Sequence, residues 1–303
     1  MPELPDIELY LHALGPRIVG QSIARVRLAS PFLVRSIDPA VDAIVNREVT
    51  GLRRLGKRIV WELDDEFFAV FHLMIAGRFR WKAPGAKIPG KVGLAAFDFS
   101  SGTLLLTEAG SKRQASLYLL RGKSELERHD PGGLEVLHST SEEFAAALRR
   151  ENHTVKRALT DPHVLSGIGN AYSDEILHAA RLSPMKLTAN MTDAELAALQ
   201  AITVETLTQW RDRLIEETGA AFPEKVTAFR EGMAVHGRYG KPCPVCGTPV
   251  QRIRYAANEA NYCPTCQTAG KLLADRSLSR LLKADWPRSL EELEKMKSSG
   301  RVS

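Results

Sequence analysis

The spacing of apolar residues changes character twice along the chain. Residues 5–15, PDIELYLHALG, place Ile7, Leu11 and Leu14 on one side at helical spacing and predict a short helix. From about residue 20 to 120 the runs shorten, and SIARVRLA, RIVWEL, FAVFHLMI, LAAFDF and TLLLTE read as strands. Turn residues part them at Asp64-Asp65, Ala83-Pro84-Gly85 and Ser101-Gly102. With no helical crossover between them, the strands predict an antiparallel sandwich or barrel. HDPGGLEVLHST, residues 129–140, reads as a linker. Helical periodicity then takes over in SEEFAAALRREN, KRALTD, NAYSDEILHAARL and TDAELAALQAITVETLTQWRDRLIEET. Thr192 and Glu195 form a capping box ahead of the last and longest of these. In the polar tail, SLEELEKM predicts one short helix.

Composition narrows the class. With 303 residues and 44% apolar content, the chain can build two or three packed domains. No apolar run approaches the roughly 18 residues of a membrane span, and no signal peptide precedes PELPD. The expectation is a cytoplasmic protein with no membrane partner. A net charge of +5 permits a polyanionic partner without requiring one.

The four cysteines say more. All lie in one window, spaced C-x2-C-x16-C-x2-C. In a reducing compartment this spacing favours metal over disulfides. Each CxxC knuckle aims two thiolates at one point, so Cys243, Cys246, Cys263 and Cys266 are expected to hold one structural Zn2+. Four sulfur ligands leave no open position for a catalytic water. The intervening GTPVQRIRYAANEANY fits a hairpin with Asn258 near its turn. Arg252 and Arg254 alternate along one strand, and His236, Arg238 and Lys241 lead in. Such a basic projection suits phosphates.

Two further stretches admit two readings each. In MPELPDIELY, Pro5 with Asp6 and Glu8 is how an ordinary surface helix begins. In GIGNAYSDEILHAARLSP, Gly167 and Gly169 form either a plain turn into a helix or a backbone cradle for an anion, with Asn170 adding a donor.

Taken together the motifs resemble the formamidopyrimidine-DNA glycosylase / endonuclease VIII family of base-excision repair enzymes. The resemblance runs from residue 2 to about 267 and rests on PELPD, RRLGKRIVWEL, HLMIAG, HTVKRALTD, GIGNAYSDE and VHGRYGKPCPVCGTPV. It implies an α+β multidomain fold: an N-terminal antiparallel β-sandwich with flanking helices, then a helix-two-turn-helix domain with a zinc-finger hairpin. The corresponding divisions are 1–128, a linker at 129–140, 141–235, a finger at 236–267 and an extension at 268–303. It also implies damaged double-stranded DNA as partner, a monomer and a nucleoid location, with DNA lying between the two halves. Removal of Met1 would free the secondary amine of Pro2, the family's nucleophile. An α-amine titrates near 8, so a useful fraction is neutral at physiological pH. Glu3 would move protons at the sugar, Lys57 would hold a phosphate by the lesion, and Lys156 and Asn170 would grip the backbone nearby. The implied activity is excision of oxidised bases through a Schiff base, followed by β,δ-elimination at the abasic site.

Departures from the pattern shape the expectation. Asp6 stands where Glu is common, one methylene shorter. Asn258 occupies the finger position that normally carries an arginine, leaving Arg252 or Arg254 to substitute. Ile75 replaces a typical Met beside Met74, and TEAGSKRQASL (107–117) offers Lys112 and Arg113 as wedge candidates. The stretch from Gly219 to His236 is shorter than the loop that closes over 8-oxoguanine in the guanine-specific branch. A wider lesion range, including oxidised pyrimidines, follows. The alternatives are a damage-binding paralogue without excision, against which the intact Pro2–Glu3 pair argues, and a zinc-ribbon adaptor, which leaves PELPD unexplained. The eight Lys/Arg and five Asp/Glu after Cys266 read as an extension that is solvated or brushes DNA, the solvated reading being the favoured one.

Overall fold

The structure, a computed structural model, describes residues 1–110, 112–255, 258–273, 287 and 289–299, with the side chains of Tyr255, Asn258 and Lys297 excepted. Contacts group the chain into two units: residues 1–133 with 207–228, and 134–206 with 229–303.

The first unit opens with α1 (Leu4–Ile18). Its buried stripe is Ile7, Tyr10, Leu14 and Ile18, a three-four spacing that leaves Leu11 only partly buried. Arg54 of β2 ties α1 to the sheet through Glu8, Nε to Oε1 at 2.9 Å. Eight strands follow in two antiparallel sheets, β1-β6-β7-β5 and β2-β3-β4-β8. Five of them, β1 (Arg25–Leu28), β3 (Arg58–Leu63), β4 (Phe67–His72), β6 (Gly93–Phe99) and β7 (Gly102–Glu108), coincide with the expected runs.

Three strands are additional: β2 (Val49–Leu55), β5 (Gly77–Lys82) and β8 (Ser116–Arg121). In β5, Arg78, Arg80 and Lys82 alternate with Phe79 and Trp81. A charged outer face of this kind breaks the apolar run that marks its neighbours.

The sheets share an aromatic core. Trp61 and Phe71 of one sheet meet Phe97 and Phe79 of the other at centroid distances of 5.2 and 5.3 Å, edge to face. The opposite face of the second sheet is buried as well, with Val60, Phe68, Val70 and Leu120 against Leu126 of α2 (Lys123–Glu127). That two-sided burial explains the near-continuous apolar strings of β3 and β4. Phe71→Ala removes a ring with no solvent exposure and is expected to cost about 3–5 kcal/mol. Denaturant unfolding monitored by tryptophan fluorescence checks it.

The second unit carries α3 (Ser141–Arg149), α4 (Val155–Thr160), α5 (Asn170–Ala179) and the first part of α6 (Asp193–Thr218). Both expected bonds of the Thr192–Glu195 capping box form, at 3.0 and 3.2 Å. The hairpin is β9 (Gln251–Tyr255) with β10 (Asn258–Tyr262), followed by α7 (Pro264–Thr268). The tail helix is α8 (Leu290–Ser298). Among the described residues no helix is long and apolar enough to cross a membrane.

Candidate functional site

In the first unit the chain turns inward directly after Met1, which is itself 36% exposed. Pro2 is buried, and Glu3 is 3% exposed. The Glu3 amide donates to Asp6 Oδ2 at 2.9 Å, so the shorter acid serves as the helix-capping partner at this position. The capping reading of PELPD therefore holds, and it leaves Pro2 outside the helix.

Desolvation pulls the Met1 α-amine below its ordinary value near 8; Arg78 and Lys57 add to this, while Glu3 and Asp6 oppose it. Lys57 sits on the two-residue turn between β2 and β3, where Gly56 takes φ +61°. Burial lowers its ammonium too, with Glu3 pulling the other way. The terminal amine, Glu3, Lys57 and Arg78 thus form one electrostatic group.

His72 ends β4 beside this group. Burial first, then Arg58 and Lys57, lowers it to about 4, so its ring is neutral at physiological pH. Nδ1 accepts from the Met74 amide at 3.0 Å, which leaves the ring proton on Nε2 as a donor. No spacing rule marks His72 in advance; its signal is the turn that follows it. Met74 takes φ 52°, a strained value for a side-chain-bearing residue. Gly77 has no substitute, because a Cβ there would lie 2.2 Å from the Leu73 carbonyl oxygen. At this turn Met74 is half-buried, and Ile75 is 65% exposed.

Lys112 and Arg113 are exposed. Arg113 donates to the Lys91 carbonyl at 3.2 Å. The base of their loop is pinned by buried Glu108, whose carboxylate accepts from the amides of Gln114 and Ala115 at 3.0 and 3.1 Å.

The second unit places Lys156 differently from expectation. Its side chain is 12% exposed, and its ammonium donates to the Asn170 carbonyl at 3.0 Å, to Ser173 Oγ at 2.9 Å and to Asp174. Lys156 is an internal ion-pair partner and not a projecting cation. Asn170 opens α5 after Gly169, half-buried, and its side-chain amide has no partner among the described residues.

Asp174, Glu175 and His178 occupy the next turns of α5, all buried. The helix therefore lacks the polar outer face that its sequence pattern implies. Glu175 accepts from the amides of Ala234, Val235 and His236 at 2.6, 3.0 and 2.8 Å. Burial raises its carboxyl, and those three donors pull it back.

The four cysteine sulfurs converge within 4.8 Å of one another. Three of their separations are 3.4, 3.5 and 4.0 Å. A tetrahedron of sulfurs about 2.3 Å from one zinc has edges of roughly 3.8 Å, so the set fits the metal. His178 Nε2 lies 3.3 Å from Cys243 Sγ, the outer support that zinc ligands ordinarily have.

On β9, Gln251 and Ile253 are buried, with Arg252 and Arg254 on the other face. Arg252 covers the Tyr239 ring at 4.2 Å and pairs with Glu259 at 3.6 Å; Arg254 is exposed. The Asn258 side chain lies outside the described residues.

Family models match in the same order. Residues 1–112 match the formamidopyrimidine-DNA glycosylase N-terminal domain, 133–212 its H2TH domain, and 240–269 a zinc finger found in FPG and IleRS. The formamidopyrimidine-DNA glycosylase of Moorella thermoacetica is 32% identical over 268 residues, covering 84% of this chain and 95% of that one. An uncharacterised formamidopyrimidine-DNA glycosylase-like protein of Mycobacterium tuberculosis is 40% identical over 151 residues, half of this chain and 94% of the relative. The Lactococcus lactis enzyme, solved with DNA containing an oxidised pyrimidine, superimposes with a TM-score of 0.78 at 25% identity, over 88% of this chain and all of that one. Sheets, helical region and cysteine finger together define a DNA-repair glycosylase. The chain belongs to the formamidopyrimidine-DNA glycosylase family.

Proposed function

We propose that the protein, with Met1 removed, excises oxidised bases from double-stranded DNA and cuts the abasic strand. The neutral Pro2 amine attacks C1′ of the damaged nucleotide, and the glycosidic bond breaks as the base leaves with a proton. The C1′–O4′ bond then opens, O4′ taking a proton from Glu3, and the iminium so formed acidifies C2′. Loss of that proton expels the 3′ phosphate, a second elimination expels the 5′ phosphate, and hydrolysis of the imine frees the amine. Glu3 carries protons at the sugar. Lys57 and the Nε2–H of His72 hold phosphate oxygens, and one zinc in the finger keeps Arg252 and Arg254 presented to the backbone.

The observation that carries this reading is the surroundings of the chain's amino end: Pro2 is buried, and the Met1 α-amine beside it is desolvated and shares its electrostatics with Glu3, Lys57 and Arg78. A basic, dry pocket for an amine suits a nucleophile that must be neutral, next to a phosphate that must be held. Borohydride trapping on abasic duplex tests it. Tight binding of damaged duplex with no trapping and no strand cutting would instead establish a damage-binding protein.

The lesion range is proposed to be broad. The short stretch after Gly219 is tied down: Phe222 packs on Tyr10 and Trp81, Val226 is buried, and Glu224 pairs with Arg80 at 3.1 Å and Lys82 at 2.9 Å. A segment so held has little slack to fold over an everted base. Selectivity then follows the cost of leaving the stack, which is least for absent, saturated or ring-opened bases. Single-turnover rates on matched duplexes should fall in the order abasic site, ring-opened or saturated base, 8-oxoguanine. Fastest excision of 8-oxoguanine opposite cytosine among the damaged bases would overturn the order.

A further inference from the structure

One buried carboxylate in the second unit joins three separate segments. Asp174 has a side chain with no solvent exposure. Its Oδ1 receives the Lys156 ammonium from α4. Its Oδ2 receives His236 Nδ1 at 2.8 Å, from the segment leading into the finger, and Asn261 Nδ2 at 3.2 Å, from β10. Lys156 in turn holds the first turn of α5 through the Asn170 carbonyl and Ser173 Oγ. The same helix grips the finger at two more points. Glu175 takes the amides of residues 234–236, and His178 approaches Cys243 Sγ.

We infer that Asp174 is a positioning residue for DNA binding, fixing Asn170 and the zinc finger to one another through Lys156, His236 and Asn261. The argument is one of commitment. A buried anion this well saturated does not move unless its partners move with it, and breaking such a pair leaves an uncompensated charge. Asn170, whose side-chain amide has no partner among the described residues, and the finger, which carries Arg252 and Arg254, stand at opposite ends of this chain of bonds. Lys156, all of whose protons are spent inside the unit, contributes no phosphate contact of its own. An apolar interface would stabilise the finger equally well, but it would let the hairpin slide. Directed hydrogen bonds set a single register.

The inference rests on the DNA-binding reading above, and the test separates the two. The paired variant Lys156→Met/Asp174→Leu removes both buried charges together, so neither is left unpaired, and costs the hydrogen bonds that His236 and Asn261 made to Oδ2. It is expected to melt within a few degrees of wild type, yet to bind duplex carrying a tetrahydrofuran abasic analogue at least tenfold more weakly. The loss should appear in KM rather than kcat. The slope of log Kd against log salt should stay at the wild-type value. Wild-type affinity in this variant, or a slope smaller by about 0.9 as for a lost phosphate contact, would overturn the inference. Should the pair fail to fold, Asp174→Asn carries the test: it is expected to show the same loss of affinity and several-fold faster zinc release to a chelator. Wild-type rates on both counts would overturn the inference. Failure of the wild-type protein to prefer the abasic duplex would sink the DNA reading alone, and the zinc-release comparison would still decide whether Asp174 holds the finger.

Discussion

A protein whose amino terminus is blocked by an uncleaved tag should give no more covalent product with abasic duplex and borohydride than a control lacking enzyme. In the proposed mechanism the secondary amine of Pro2 makes the attack at C1′, and it is available only after Met1 is removed. Glu3→Gln keeps the amine but removes the proton carrier, and should slow single-turnover cleavage by about 10²–10⁴-fold. The pH profile follows from the desolvation of the terminus. Burial lowers the Met1 α-amine, and the Pro2 amine that replaces it beside the same Glu3, Lys57 and Arg78 is expected to shift in the same direction, towards its neutral form. Trapping should rise with pH on the acid side as that amine loses its proton. Undiminished trapping with a blocked terminus would transfer the role to another amine, with Lys57 the first to examine, since its ammonium is also desolvated.

Removal of the metal should produce the second large effect. One zinc per chain is expected by metal analysis, bound by four thiolates whose sulfurs already converge. Metal binding of this kind is worth about 10–16 kcal/mol of folding energy, so a strong chelator or Cys263→Ser should unfold the hairpin while the first unit keeps its melting transition. DNA affinity should fall, and the salt slope should shrink by about 0.9 for each finger cation lost from the backbone. Lower pH should ease zinc release, because protons compete for the thiolates. Fully active protein with less than one zinc would refute the assignment.

Which of these residues could be read in the chain depends on how their chemistry is encoded. The cysteines carry their geometry in their spacing, since two CxxC knuckles admit few other arrangements. Lys57 and Pro2 sit in short contiguous motifs. Asp174, His236 and Asn261 have no such mark, being brought together across 62 and 87 positions by the path of the chain. Asp174 and Glu175 are buried on α5, which helical periodicity cannot show because it records polarity and not burial. The strands divide likewise. β3 and β4 announce themselves by continuous apolar residues, whereas β5 hides between arginines, and only its pairing with β7, Phe79 opposite Leu106, reveals its role. Lys156 was read as a phosphate cation for the same reason: a lysine's sequence does not say where its charge is spent.

The first unit is not continuous along the chain, and this bears on how the protein is made. Its core includes Leu214 and Val226, which follow almost the whole helical region in order of synthesis. When residue 133 has emerged from the ribosome, the aromatic sandwich is complete in strands but still lacks the closing segment 207–228. The nascent sheets must therefore wait, at roughly 5–20 residues per second, for several seconds before that segment arrives. A fragment ending at Gly133 would keep Pro2, Lys57 and every strand of the two sheets, yet leave the seat of Leu214 and Val226 open to water. Dissecting the enzyme into a catalytic half and a DNA-binding half calls for a split that returns 207–228 to the first piece, supplied in trans or grafted by circular permutation.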